Sequence, residues 1–369
     1  MKVLAFTRYG ARAASTRQRL LQYLPALAAA GIEVEHHALL GDDYVRNLED
    51  GTGFSRAAVA KAYLGRLGRL IGGRADLIWV YAELFPYLPG AFEKLAFASG
   101  RPVVLDMDDA FYHAYDGHAR PAIRRLLGSK LDPLFAGATA CTLGNDYLAR
   151  HIGRLNPRTT ILPTVVDGTL YRPDLTGSES RAPTIGWIGS PSTYRYLQPL
   201  LPLLRTLAER HEARVLVIGS GDRVRPQDRH PLIEFRPWRE QAEVADLQDM
   251  SIGIMPLPDE QWAYGKSGYK LIQYMACGLP VVASPVGVNS SIVENGRTGF
   301  LATEASEWHD ALTRLLERPH LGMEQGQAGR ERFERYYSLA VHAPRLVHVF
   351  HEAASGRGRP SVATGPPSH

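Results

Sequence analysis

Two successive series of short apolar runs, each alternating with helical patterns, predict an α/β protein. The expected architecture is a pair of Rossmann-like domains on parallel sheets, facing one another across an interdomain cleft. Three observations carry this reading. The chain has 369 residues, too many for one ordinary core and comfortable for two. The apolar runs recur as strand–helix–strand units and not as hairpins. A composition break with Pro163, Asp167, Gly168, Pro173 and the polar run Thr176–Arg181 separates the two series.

In the first series the expected strands are Val3–Thr7, Ile32–Ala38, Leu77–Tyr81, Val103–Met107, Thr139–Leu143 and Thr160–Leu162. The clearest helix between them is Thr16–Ala30, with Leu20, Leu21, Leu24, Leu27 and Ala28 on one face. The second series predicts strands Thr184–Ile188, Arg214–Ile218, Leu232–Phe235, Ile252–Pro256, Val281–Ala283 and Phe300–Ala302. Three helical segments then close the chain, ending with Ser338–His351. The expected domains are 1–165 and 183–336, with a linker at 166–182, a returning helix at 337–354 and a flexible Gly/Pro/Ser-rich tail at 355–369. In sheets of this kind ligands bind at the carboxyl ends of the strands, so the cleft is the expected site.

Composition narrows the function. Apolar residues at 45% and charged residues at 22% describe a folded globular chain. The two cysteines, Cys141 and Cys277, make neither a disulfide framework nor a zinc spacing, which suits a reducing compartment. The N-terminus lacks the long apolar segment of a secretory signal, and no apolar stretch is long enough to span a bilayer. A cytoplasmic protein is expected. A net charge of +4 favours anionic partners, or reflects nothing more than Arg used for solubility. Neither half opens with G-x-G-x-x-G between strand and helix, which disfavours a dinucleotide oxidoreductase. The basic residues are dispersed without an aromatic–basic reading motif, which disfavours nucleic-acid binding.

The densest signal is Trp262–Asn295, WAYGKSGYKLIQYMACGLPVVASPVGVNSSIVEN. A loop of Gly265, Lys266, Ser267 and Gly268 opens a helix over Tyr269–Cys277, which Gly278-Leu279-Pro280 ends. Free N–H groups at the start of such a helix, together with its dipole, make a ready anion site. Lys266 and Lys270, spaced i and i+4, both suit one diphosphate. A lysine in the first turn opposes the dipole unless an anion is bound. The alternative is a pair of solvated surface lysines.

The run KLIQYMACGLPVVASPVG, followed by VENGRTGFL, resembles the donor-binding segment of GT-B glycosyltransferases, specifically the retaining family 4. ILPTVVDGTLYRP, TIGWIGSPS, VLVIGSGD and YYSLAVHAPRL fit the same template in order. The resemblance implies a nucleoside diphosphate-sugar, UDP- or GDP-linked, held by the C-terminal domain. It implies an acceptor on the N-terminal domain, either a sugar, a lipid-linked molecule or a small metabolite, and no required metal or other cofactor. The usual biology of such enzymes is cell-surface polysaccharide, glycolipid or glycosylated-metabolite synthesis.

Departures from the template shape the expected site. The family's paired glutamates fall on Gln273 and near Gly265, so both carboxylates are missing. The Gln273 amide still hydrogen-bonds a hydroxyl but carries no charge. The Arg/Lys pair expected after the first donor-domain strand is replaced by a loop from Gly189 and Ser190 to Arg195, with Arg195 the candidate substitute. Trp238, at the end of IEFRPW, either stacks on the nucleobase or is an ordinary edge tryptophan.

On the acceptor side, VVLDMDD places Asp106, Asp108 and Asp109 at a strand's carboxyl end. Matched to the family, Asp108 falls where many members carry a histidine beside the reacting sugar, to stabilise developing positive charge or position the hydroxyl. N-capping is the alternative role, and a metal site the less favoured one. Tyr9, Gly10 and Arg12 follow the first strand, where Gly10 permits close backbone approach and Arg8 and Arg12 suit an anionic acceptor. His113 either lines this side or is an ordinary surface residue. The stretch Ala57–Arg74 is basic and amphipathic, suited to lie on an anionic membrane or, equally, to keep its arginines in solvent. Two alternatives to a transferase stay open: a GT-B nucleotide-sugar epimerase, and a non-catalytic nucleotide-sugar-binding subunit.

Overall fold

The computed structural model describes residues 1–49, 53–174 and 182–356. Nearly all of the expected C-terminal tail, and the polar run Thr176–Arg181 of the expected linker, lie outside the described residues. The chain divides into two compact units. The first comprises Met1–Thr164 and the described residues from Leu339 to Gly356, and the second Val165–Ser338.

Unit one is built on six parallel strands: β1 (Lys2–Tyr9), β2 (Glu33–Leu40), β3 (Leu77–Tyr81), β4 (Val103–Met107), β5 (Ala140–Leu143) and β6 (Thr159–Ile161). Their order is β2-β1-β3-β4-β5-β6, so the direction of strand addition reverses between β1 and β3. β3 and β4 are buried at every residue, as strands covered on both faces must be. The helix Leu339–Ala354 belongs to this unit: Phe350 meets the edge of Trp79 with ring centroids 5.0 Å apart, and Arg345 donates to the Ile161 carbonyl at 3.1 Å.

Unit two carries β7 (Thr184–Ile188), β8 (Arg214–Ile218), β9 (Ile233–Arg236), β10 (Ile252–Met255), β11 (Val281–Ala283) and β12 (Gly299–Leu301), all parallel. The order β12-β11-β10-β7-β8-β9 puts the switch point between β7 and β10. Separate apolar clusters fill the two faces of this sheet. One centres on Tyr274, Leu271 and Phe333, and the other on Trp187, Leu204 and Trp308.

Two expected helices differ from the observed ones. Thr16–Ala30 is not continuous: Ala14–Arg19 ends at Leu20, a single 3₁₀ turn follows, and Leu24–Ala29 restarts with Pro25 in its first turn. The proline cannot donate to the preceding turn, so the periodicity survives while the helix breaks. In the helix Arg56–Gly72 the expected polarity is partly inverted. Arg66 is buried, while Leu64 and Ile71 are 70% and 60% exposed. Arg66 turns inward because its guanidinium caps the carbonyls of Leu84, Thr7 and His37.

Candidate active site

The donor-side candidates converge within unit two. Gly268 caps the helix Tyr269–Ala276 in the left-handed conformation, at φ +67°, and a Cβ there would overlap Ile292. Only glycine meets both demands without strain. The Lys266 ammonium lies 5.2 Å from the Trp262 ring centroid, and the Lys270 ammonium 5.1 Å from that of Trp187. A cation over an aromatic face is attracted by the ring's quadrupole, which helps to orient it.

Trp187 links Lys270 to the loop after β7, since a Cβ on Gly189 would overlap the Trp187 ring. The loop is pinned by its own hydroxyls: Ser190 N donates to Thr193 Oγ1 at 3.0 Å, and Ser190 Oγ lies 3.0 Å from Ser192 Oγ. A Cβ on Gly219, which follows β8, would overlap the Gly189 carbonyl and press on Trp238. Gly189, Lys270 and Trp238 thus meet at the carboxyl ends of β7, β8 and β9, beside the switch point where such sheets bind ligands. Ser267 stands in the loop between the two lysines, half-buried.

Arg195 is 65% exposed, donates to Tyr196 OH at 2.8 Å and faces Glu260 at 3.9 Å.

Gln273 is buried, and its amide donates to Glu243 Oε1 at 2.7 Å. The same carboxylate accepts from Tyr171 OH and from Trp238 Nε1. Glu243 therefore ties together the half-buried indole and the residue that replaces a family glutamate. The sequence reading missed Glu243 and Tyr171. Glu243 stands thirty positions before Gln273 in a short helix, Glu243–Gln248, and nothing local marks it. The signal was indirect: a missing carboxylate on one element invites one from another.

Within unit one, the three aspartates separate by environment. Asp106 is 1% exposed and accepts from Arg19 Nε at 2.9 Å and from Thr142 Oγ1 at 2.6 Å. Asp108 is 6% exposed, accepts from Tyr81 OH at 2.6 Å and lies 3.4 Å from Thr164 Oγ1. Burial drives its carboxyl up to about 6, against the pull of Arg19 and with help from the neighbouring Asp109 charge. Asp109 is half-buried beside it. Among the described residues no three acidic, His or Cys side chains form a group able to hold a metal ion.

The other acceptor-side candidates divide. Gly10 admits a close approach, but to Asp42, whose carboxylate a Cβ would overlap and which also accepts from Arg12 N at 2.9 Å. Arg12 itself is exposed. Tyr9 stacks on Tyr44 with centroids 6.3 Å apart. His113 has its Nδ1 2.9 Å from Asp116 Oδ1 and its Nε2 2.8 Å from Tyr147 OH, so both ring nitrogens have protein partners.

Residues 182–318 match the family model described as glycosyl transferases group 1. Over these residues the second unit is similar to the group 1 glycosyl transferases. Curated relatives include the D-inositol 3-phosphate glycosyltransferases of Gordonia bronchialis and Rhodococcus opacus. The first is 30% identical over 155 residues, covering 38% of this chain and 33% of that protein. The second is 28% identical over 233 residues, covering 56% and 48%. The chain thus spans half or less of the length of these relatives. Among solved structures, Anabaena Alr3699/HepE in complex with UDP superposes with a TM-score of 0.70 at 14% identity, over 95% of this chain and all of that one. WaaG, a glycosyltransferase involved in lipopolysaccharide biosynthesis, gives 0.66 at 14% identity over 94% and 99%. At such identities the likeness is one of fold, and the fold is that of the GT-B glycosyltransferases. The matched residues 182–318 hold every donor-side candidate, and Glu243, bonded to Gln273 and Trp238, lies among them.

Proposed function

We propose that this protein transfers a sugar from a nucleoside diphosphate-sugar, UDP- or GDP-linked, to an acceptor hydroxyl, with retention of anomeric configuration and without a required metal. The observation that carries the proposal is the glycine-capped start of the Tyr269–Ala276 helix, with Lys266 and Lys270 held over tryptophan faces. That arrangement offers helix N–H groups, a dipole and two ammonium charges to one diphosphate. The match to group 1 glycosyl transferases, and fold neighbours solved with UDP and with UDP-glucose, support the same reading.

In this proposal Lys266 and Lys270 neutralise the diphosphate as its bond to the anomeric carbon breaks. Glu243 fixes Gln273 toward the ribose and Trp238 toward the base. Asp108, with Asp109 beside it, stabilises positive charge on the sugar or positions the acceptor hydroxyl as its oxygen bonds to the anomeric carbon. The named relatives act on a phosphorylated polyol, which favours a sugar, polyol or lipid-linked acceptor here. The biological setting would be cell-surface polysaccharide, glycolipid or glycosylated-metabolite synthesis in the cytoplasm. Leu64 and Ile71, exposed beside Lys61 and Arg69 on the Arg56–Gly72 helix, support peripheral contact with an anionic membrane. Among the described residues no helix is long and apolar enough to cross one.

The testing experiment is a thermal-shift panel with UDP, GDP, ADP, CMP and NAD, followed by turnover of the sugar conjugate of the best binder. Stabilisation by one nucleoside diphosphate, with acceptor-dependent release of that diphosphate, is expected. Donor conversion without acceptor would make the protein an epimerase. Nucleotide binding without any turnover would make it a binding subunit, and no binding would reject the donor site.

A further inference from the structure

An assembly of charged groups that the donor chemistry does not use lies at the carboxyl ends of β1 and β3, the switch point of the unit-one sheet. Lys130 is buried, with its ammonium 2.6 Å from Glu83 Oε2 and 2.8 Å from Glu93 Oε1. Tyr115 OH donates to Glu83 at 2.8 Å, and Glu93 accepts from the N–H groups of Leu84 at 2.8 Å and Phe85 at 3.1 Å. Arg66 closes the base of the assembly through the carbonyls of Leu84 and His37, at 2.9 and 3.0 Å. Ala82 and Tyr87 bracket this segment with φ of +65° and +59°, a backbone conformation that non-glycine residues adopt under constraint.

Lys130 is buried and bonds both carboxylates, Glu83 and Glu93. Arg66 is buried too and gives its terminal nitrogens to backbone carbonyls, while its Nε has no hydrogen-bond partner. Arg8 is different. Its nearest carboxylate oxygen is Glu83 Oε1 at 3.7 Å, beyond hydrogen-bond reach, and its side chain keeps 30% exposure. Its Nε is buried without a hydrogen-bond partner. The rings of Tyr9 and Tyr87 flank its guanidinium, with centroids 5.1 and 5.7 Å away. The Arg8 guanidinium therefore reaches solvent as a planar, aromatic-framed fork, the geometry that takes two oxygens of a phosphate or carboxylate.

We propose that Arg8, flanked by Tyr9 and Tyr87 and backed by Glu83, binds an anionic phosphate or carboxylate group of the acceptor. This deepens the glycosyltransferase reading and rests on it. The parallel pairing of Phe6 with Val80 and of Tyr81 with Asp106 brings the carboxyl ends of β1, β3 and β4 to one edge of the sheet. β1 and β4 are two strand spacings apart, roughly 10 Å. The sequence reading named Arg8 and Arg12 together; the structure separates them, because Arg12 lies in an exposed loop and Arg8 sits at the sheet edge.

The test uses the full chain and four probes: glucose 6-phosphate, glucuronate, glucose and inorganic phosphate, with UDP titrated in parallel. Calorimetric binding of glucose 6-phosphate or glucuronate but not glucose is expected. Arg8→Gln should weaken that binding at least tenfold, Arg8→Lys should weaken it less, and UDP affinity should stay within twofold in both. Preference for the phosphorylated probe or the carboxylate identifies which anion the site takes. Equal binding of the anionic sugars to wild type and Arg8→Gln, or no binding of any anionic probe to wild type, overturns the proposal. Loss of folding in Arg8→Gln leaves Arg8→Lys to decide. Failure of UDP to bind the wild type would reject the donor reading independently.

Discussion

At the residue scale, Asp108 and Glu243 make the sharpest predictions. A folded-state carboxyl pushed up to about 6 holds its proton more tightly than the unfolded chain does. The stability this confers is full at low pH and is lost as pH rises from about 4 through about 6. Asp108→Asn carries no such titration, so its melting temperature should gain on that of wild type across this window and level off above it. A difference that does not change with pH would refute the burial argument. If the ionised carboxylate is what assists transfer, kcat/KM of the wild type should fall below pH about 6. In Asp108→Asn, turnover should drop by about a hundredfold or more with UDP affinity unchanged, and normal turnover would move the catalytic assignment elsewhere. Glu243→Gln keeps the shape but removes the charge that holds Trp238, Tyr171 and Gln273, so UDP affinity measured by calorimetry should fall about tenfold. Arg19→Met tests Asp106 as a structural group: an uncompensated buried carboxylate should cost about 3–5 kcal/mol in denaturant unfolding.

The Tyr269–Ala276 helix is the element on which the donor site depends. Gly268→Ala must place a Cβ at φ +67° and against Ile292, which should cost about 1–3 kcal/mol and misalign the helix start. Lys266→Ala and Lys270→Ala should leave the unliganded melting temperature close to wild type, since Lys266 lies in the loop before the helix and Lys270, in its first turn, opposes the dipole. The same variants should shrink the UDP-induced shift. Full UDP response in both would remove the phosphate site. The break at Leu20 shows how an element that periodicity suggests is re-cut by one proline, while its apolar face still packs.

On the scale of the whole molecule, each unit has its own sheet and its own apolar clusters, and the units hold different chemistry. Hydrogen exchange should therefore show UDP protection concentrated in Val165–Ser338, strongest after β7 and at the start of the Tyr269–Ala276 helix. Protection confined to unit one would contradict the assignment of donor and acceptor sides.

All twelve strands, their parallel sense and the α/β class were legible in the sequence, because buried parallel strands are short, apolar and flanked by turn residues whatever packs on them. The glycine–lysine loop was legible too, since its chemistry is local. What only the tertiary structure decided were the partnerships between distant elements. Asp106 went to Arg19, 87 positions away, and left Asp108 as the responsive carboxyl. His113 spent both nitrogens, Arg195 turned to the surface, and Glu243 reached Gln273 across thirty residues. Arg66 turned inward from a helix face that looked solvated, and Arg8 kept its guanidinium partly exposed beside Glu83. Local pattern fixes which segments are buried, but the state of a buried charge depends on what lies opposite it in space. That is set by packing, which no spacing along the chain encodes.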